Sequence, residues 1–310
     1  MKVKLSIKYS LSLTTLLICF LLGAHVSHSQ ARKNSRKTVS SNQRLMQKSP
    51  FFDQQWWIGF KGGLTASKMV PGKRHSVFTA TPGSSDGLLT DFTKNYDSYL
   101  FDQPGTTIGL IGSFSFWKGI TLSLQPSYSR YNAAYQNEYL WRNENNLDVW
   151  IEQSHYLSLS YLEIPLLVRY DLYRGKVRPY IQAGAYYGHL VKADKRMEVK
   201  SRDVVSGGQD ILENSAPSIG AEHLFIRDNV GWIAGGGFSY DLGNMRVGLE
   251  VNYRQGLENI TNRPNRFTDD RLAGVGDVMD DMTLQSWDAS FHLTFPLKFL
   301  DTGSFVPGRP

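Results

Sequence analysis

The chain has 310 residues, a formal charge of +6, 20 % charged and 41 % hydrophobic residues, and a mean hydropathy of −0.33. Beyond residue 29 no apolar stretch approaches the roughly 20 residues that a membrane-crossing helix needs, which excludes a helical membrane protein. The single cysteine, Cys19, excludes a disulfide framework, thiolate metal sites and, once a leader is removed, a cysteine nucleophile.

Residues 1–29 read as a secretory signal peptide: Lys2, Lys4 and Lys8, an apolar run from Leu11 to Leu22, then Ser27-His28-Ser29 at the spacing a signal peptidase accepts. The bulky neighbours Ile18 and Phe20 argue against lipidation of Cys19. Residues 30–50 carry Arg32, Lys33, Arg36, Lys37, Arg44 and Lys48 with no acid. With the three leader lysines they hold nine positive charges, so the rest of the chain is at −3 and the basic bias belongs to the tail. Ser, Asn, Gln, Lys and Arg predict a disordered periplasmic segment there. Attraction to anionic headgroups or peptidoglycan is its functional reading; a solvated spacer is the simpler one. Export removes nucleic acid from the candidate partners.

From residue 51 the pattern changes to alternation with period two. Trp56 to Ser67 sets Ile58, Phe60 and Leu64 against Gly59, Lys61 and Gly63, predicting a first strand. A loop rich in Pro, Gly, Ser and Asp covers 69–105. Thr106 to Trp117 is the second strand, and Lys118-Gly119 turns tightly into a third from Ile120 to about Gln136. A polar loop to Ser154, a fourth strand from His155 to Leu172 and a turn around Gly175 lead into a fifth, Val177 to about Leu190. A long polar stretch over 192–228 precedes the sixth strand, Gly231 to Leu242. Gly243-Asn244 turns into the seventh, Met245 to Gly256; a loop over 257–282 leads to the eighth, Leu284 to Phe299.

The connections alternate long and short, as in outer-membrane barrels with short periplasmic turns and long extracellular loops. The expected fold is all-β, an eight-stranded antiparallel up-and-down transmembrane barrel over 51–300, followed by a C-terminal tail at 301–310. A soluble barrel would use the same alternation with the apolar parity turned inward. Mixed charges on the polar parity, the grouping of long loops at one end and 13 % aromatic residues favour the membrane form. The polar parity then gathers Lys61, Gln125, Glu163, Arg169, Arg178, Gln182, Arg246, Glu250, Asn252, Arg254, Asp288, His292 and Lys298 in the lumen. An eight-stranded interior is only wide enough for its own side chains, so these charges are expected to pair as a structural plug.

The segments YLEIPLLVRY at 161–170, RPYIQAGAYYGHLV at 178–191, GWIAGGGFSYDL at 231–242 and VGLEVNYRQGLENI at 247–260, with the final amphipathic strand, resemble the PorT-like outer-membrane barrel family of Bacteroidota. The resemblance implies insertion by the barrel-assembly machinery. For some relatives it implies support of type IX secretion and gliding.

The leading functional expectation is a non-enzymatic outer-membrane protein with a plugged lumen. It would act as a binding or assembly module among outer-membrane lipids and envelope or type IX secretion proteins. An accessory role in type IX secretion, a lipid-modifying enzyme and a narrow channel are the alternatives. An enzyme would need a nucleophile or base near the outer leaflet, and His155 and His189, with Ser154 and Ser158, are the candidates. Asp269, Asp270, Asp277, Asp280 and Asp281 lack the spacing of a calcium loop and predict a solvated, self-repelling segment. Gly235, Gly236 and Gly237 are followed by no helix, which speaks for close packing rather than a phosphate cradle. Pro126, Pro165 and Pro296 predict bulges or bends. No cofactor and no metal is expected.

Overall fold

The computed structural model describes residues 55–73, 75, 91–99, 103–117, 119–142, 148–173, 175–203, 211–215, 218–242, 245–267 and 277–297. The expected leader, basic segment and C-terminal tail lie outside these residues, as do Lys298, Asp269, Asp270 and the turn residues Gly243 and Asn244.

β1 (Gln55–Pro71) pairs on one side with β3 (Gly105–Trp117) and on the other with β12 (Met282–Pro296), so the sheet closes on itself. From β3 the circuit passes to β4 (Ile120–Leu124) and β5 (Ser127–Arg142), then to β6 (Asp148–Asp171) and β7 (Val177–Asp203). It returns through β10 (Asp228–Asp241) and β11 (Arg246–Gly256) to β12. Every ladder is antiparallel. β4 and β5 are one strand interrupted at Gln125-Pro126, and among the described residues the closed circuit therefore has eight strands. Three short strands lie outside it: β2 (Asp91–Tyr99) pairs with β5, and β8 (Leu212–Ser215) and β9 (Ile219–Gly220) pair with β7.

The prolines explain the interruption. Leu124 pairs with Leu166 and Ser127 with Glu163, so Gln125-Pro126 faces Ile164-Pro165 across the gap. Neither proline can donate to the ladder, and the sheet keeps only Leu110 N to Pro126 O at 2.8 Å and Gln125 N to Pro165 O at 3.0 Å there. Pro296 ends β12 opposite Trp57. At the tight turn between β3 and β4, Gly119 has φ 93°, a conformation that suits only a residue without Cβ.

The outer face carries an apolar belt. Phe60, Leu64 and Ile108 are 60 % or more exposed, while Lys61, Glu250 and Asp288, on the opposite parity, are 3 % or less. That burial settles the direction of the alternation: hydrocarbon outside, polar groups inside. Trp56 stacks near Phe114 at one edge, with ring centroids 4.8 Å apart. Trp232, Tyr253 and Trp287 form a row at the other, at 5.4 and 5.0 Å. Trp287 lies opposite Ala66, ten residues along β1 from Trp56. At ~3.3 Å per residue and a tilt of ~40° this gives a belt about 25 Å tall, the height of an outer-membrane barrel's apolar band.

The strands do not stop at the belt, which corrects the expected loops. β5 runs to Arg142, β6 begins at Asp148, and β7 has 27 residues where the alternation predicts an end near Leu190. About 9–11 residues suffice to cross a bilayer, so this hairpin stands well above it. There the chemistry inverts. Lys192, Asp194, Arg196, Glu198 and Lys200 form the outer face of β7, while Ala193, Lys195 and Met197 are fully buried. A core of Met69, Tyr135, Leu157, Leu159, Leu224, Phe225, Ile260, Met279 and Met282 fills the upper storey.

The inversion on β7 is made by one residue. Ser160 pairs with Lys192 and Tyr161 with Leu190, leaving Val191 as a bulge. Below it the even residues Tyr180, Gln182 and Tyr186 face inward; above it the odd residues do. A one-residue slip moves every following side chain to the other face. β6 keeps its odd residues inward throughout, and its sequence changes instead, from Asp171, Arg169 and Glu163 below to Tyr161, Leu159 and Leu157 above.

Candidate functional site

The lumen is the densest concentration of charged side chains, and it is stacked in three tiers. At the end with short turns, Arg178 Nε bonds Asp241 Oδ2 at 2.8 Å and Arg246 Nε bonds Asp241 Oδ1 at 2.6 Å. Arg169 Nε reaches Asp171 Oδ1 at 2.8 Å, and its Nη2 donates to Ser239 Oγ at 2.8 Å. Two aromatic faces complete the tier: Arg169 lies 3.5 Å over the Tyr180 ring and Arg246 4.1 Å over Trp57.

The middle tier is centred on Glu250. It accepts from Tyr180 OH at 3.2 Å, Gln182 Nε2 at 3.1 Å, Ser290 Oγ at 3.1 Å and Asn252 Nδ2 at 3.3 Å. Lys61 Nζ is 3.7 Å away and donates to Gln125 Oε1 at 2.9 Å; His292 Nδ1 is at 3.9 Å. Room for this convergence comes from β10. A Cβ on Gly235 would lie 2.3 Å from Asn252 Oδ1, and one on Gly237 would lie 2.1 Å from the Leu249 carbonyl. The glycine run is therefore a close-packing device, as its context predicts.

In the upper tier Arg254 Nη1 bonds Glu163 Oε2 at 2.5 Å and donates to Tyr131 OH at 3.1 Å. Tyr131 OH donates in turn to both Glu163 oxygens, at 2.8 and 2.9 Å, and Arg254 Nη2 lies 3.7 Å from Asp288. Across the three tiers five cations (Lys61, Arg169, Arg178, Arg246, Arg254) face five carboxylates (Glu163, Asp171, Asp241, Glu250, Asp288) among the described residues. Charge balance lets a narrow interior hold so many ions, because each buried charge has a partner and further hydrogen bonds.

The structure thus brings together twelve of the sequence-predicted residues: Lys61, Gln125, Glu163, Arg169, Arg178, Gln182, Arg246, Glu250, Asn252, Arg254, Asp288 and His292. Tyr131 and Asp241 also belong to the network and are not in the predicted set. Asp241 had a visible signal, since it continues the inward parity of Ser239 at the end of β10. Tyr131 shares the inward parity of Gln125, Ser127 and Ser129, but its residue type is equally at home on a lipid face.

A second buried cluster lies in the upper storey. Lys195 Nζ contacts Asp277 at 2.5 and 2.7 Å, both side chains fully buried, and touches Met279 Sδ at 3.1 Å. His155 stacks on Tyr135 at 4.3 Å, with Nδ1 3.7 Å from Asp277 and Nε2 3.3 Å from Asn137 Nδ2. The expectation of a solvated acidic segment is therefore corrected for its described part. Asp277 is held by Lys195, Asp280 accepts from His75 N at 2.5 Å, and Asp281 bonds Arg266 at 2.6 Å and Arg263 at 3.3 Å. Burial works against the charge on Asp281, but Arg266 and Arg263 outweigh it and hold the carboxyl below its ordinary range. The acids are drawn in because the upper storey supplies cations facing them.

The enzymatic candidates do not converge. Ser154 and His155 are neighbours on a strand and face opposite sides. Ser158 donates to Asn132 Oδ1 at 2.8 Å and accepts from Arg130. His189 is on the outer face, 2.9 Å from Asp228, which also accepts from Tyr187 OH at 2.6 Å. Among the described residues no group of three or more His, Cys, Asp or Glu could hold a metal ion.

No curated protein sequence matches the chain. Among solved structures it is similar to OprG of Pseudomonas aeruginosa, with 14 % identity over 78 % of this chain and 95 % of that one and a TM-score of 0.32. Outer membrane protein W of Escherichia coli gives 15 % identity over 77 % and 97 %, with a TM-score of 0.29. Ail, the attachment invasion locus protein of Yersinia pestis, gives 12 % over 78 % and 99 %, at 0.27. A profile of the outer membrane protein β-barrel domain matches residues 42–262. With that match spanning most of the chain, and the apolar belt around a polar lumen, the chain belongs to the outer membrane protein β-barrel domain family and is a protein of the bacterial outer membrane.

Proposed function

We propose that the chain is a non-conducting, non-enzymatic outer-membrane barrel that serves as a binding or assembly module through its upper storey and its periplasmic face. One observation carries this reading: the lumen is filled from wall to wall by a charge-balanced network and is topped by an apolar core, so the interior is built as a plug. What remains for recognition is the water-exposed outer face of the long hairpins.

Export through a cleaved leader over residues 1–29 and insertion by the barrel-assembly machinery belong to the same reading. So does membership of the PorT-like branch of Bacteroidota, whose narrower form is an accessory role in type IX secretion; co-purification with secretion subunits tests that form. The enzymatic alternative is weakened by the separation of His155 from Ser154 and by the pairing of His189 with Asp228.

Planar-bilayer recording tests the plug. The purified chain is expected to give no reproducible single-channel steps. Steady unitary conductance from the wild-type chain would overturn the proposal.

A further inference from the structure

The outer wall carries a groove and a cleft that lie one above the other. The groove, about 740 Å³, is cut into the apolar belt between Phe60, Leu110, Tyr128, Leu162, Ile164 and Phe291. It exists because Gly62 occupies an outward position between Phe60 and Leu64, with Ile108 and Phe291 as its cross-strand neighbours. A Cβ at Gly62 would meet nothing closer than the Thr107 carbonyl at 3.9 Å, so the space in front of it is open. The ladder break at Pro126 forms the adjoining wall.

The cleft, about 400 Å³, is lined by Arg130, Tyr156, Ser158, Lys192, Asp194 and Arg196 among others. Strand register places it at the upper margin of the belt. Arg130 pairs with Ser160 and Ser160 with Lys192, forming one row across β5, β6 and β7. The row immediately below is Tyr128 opposite Leu162, both groove residues. With strands ~4.8 Å apart, the Arg130 and Lys192 backbones stand about 10 Å from each other. Three cations and one acid line the cleft. Lys192 is 2.8 Å from Asp194, and Arg196 is paired with Glu198 and lies 4.9 Å over the Tyr156 ring. Arg130 donates to Ser158 Oγ at 2.7 Å and, among the described residues, has no carboxylate within salt-bridge distance.

We propose that groove and cleft together seat one outer-leaflet lipid with a phosphate-bearing headgroup. Its acyl chain lies along Gly62 and Leu162, and its phosphate accepts from Arg130 and Lys192. Hydrocarbon is the medium around the groove, and the cationic row begins where that medium ends. A guanidinium and an ammonium flanking a serine form a charge-assisted phosphate seat. The inference depends on membrane insertion but not on the plugged lumen.

Native mass spectrometry and calorimetry on the full chain in detergent test it, with bisphosphorylated lipid A, its dephosphorylated counterpart and inorganic phosphate as probes. Arg130→Ala/Lys192→Ala should weaken lipid A binding by about tenfold or more and leave the dephosphorylated lipid unaffected. Gly62→Phe, which fills the groove, should weaken both lipids. Inorganic phosphate alone should bind far more weakly than lipid A. Wild-type affinity in either variant, or equal binding of free phosphate and lipid A, overturns the proposal. Heat-modifiable gel migration separates failure to bind from failure to form a barrel. Should a variant not fold, Arg130→Gln/Lys192→Gln and Gly62→Leu give the same readout.

Discussion

Glu163→Gln removes one charge from the upper tier and almost no volume. In the wild type Glu163 is the nearest carboxylate to Arg254, at 2.5 Å, and both side chains are 3 % exposed or less. Breaking a buried pair by neutralising one partner typically costs ~3–5 kcal/mol, because the other charge stays behind uncompensated. Here Asp288 remains 3.7 Å from Arg254 and Tyr131 still contacts it, which places the cost at the lower end, about 3 kcal/mol, or ~100-fold in the folding equilibrium. The assay is reversible urea unfolding of the chain in lipid vesicles, followed by tryptophan fluorescence. For an m-value of ~3 kcal/mol/M the midpoint should fall by about 1 M. Arg254→Met is expected to cost a similar amount. The double variant should cost about as much as either single change alone, with a coupling energy of ~2–3 kcal/mol. Single changes that each cost under ~1 kcal/mol and simply add would refute the reasoning, since the pair would then be solvated or free to relax.

Deletion of Val191 should remove the bulge without turning β7 over, because Leu190 and Lys192 then become neighbours opposite Tyr161 and Ser160 and keep their inward and outward faces. Proteolysis on intact cells should then cut the upper hairpins no faster than in the wild type, and heat-modifiable migration, which reports the membrane barrel, should persist; rapid cutting of the deletion variant would refute Val191 as the unpaired residue of that ladder. Asp281 gives a pH dependence: its carboxyl is held below the unfolded value of ~3.9, so its stabilising contribution is complete above that value and is lost as pH falls through the depressed folded one. The protection factor of the Met279 amide, which donates to the Arg266 carbonyl at 3.3 Å, should therefore stay high at about pH 5 and fall toward pH 3 and below, and an unchanged protection factor would count against the ion pair as the anchor of that segment.

The membrane storey was legible because one chemical rule governs all of it. Oil outside and ions inside make Met245–Tyr253 or Ser290–Phe299 declare themselves by parity alone, and parity also assigned twelve of the lumen residues to one side. It could not choose their partners. Glu250 gathers groups from β1, β7, β11 and β12, and only closure of the sheet brings those strands round to each other. The upper storey was illegible for the opposite reason: there water is outside, so the same alternation carries the inverse meaning, and charged residues such as those of 192–203 read as loop when every second one faces solvent. Lys195 was further hidden because it is flanked in sequence by the charged Asp194 and Arg196. The physical boundary between the two regimes is narrow. On β6 it lies between Glu163 and Tyr161, where composition changes and backbone does not; on β7 it is the bulged Val191, where backbone changes so that composition can. A strand that passes from hydrocarbon to water must exchange its inner and outer chemistries, and these two neighbours do so by the two available means.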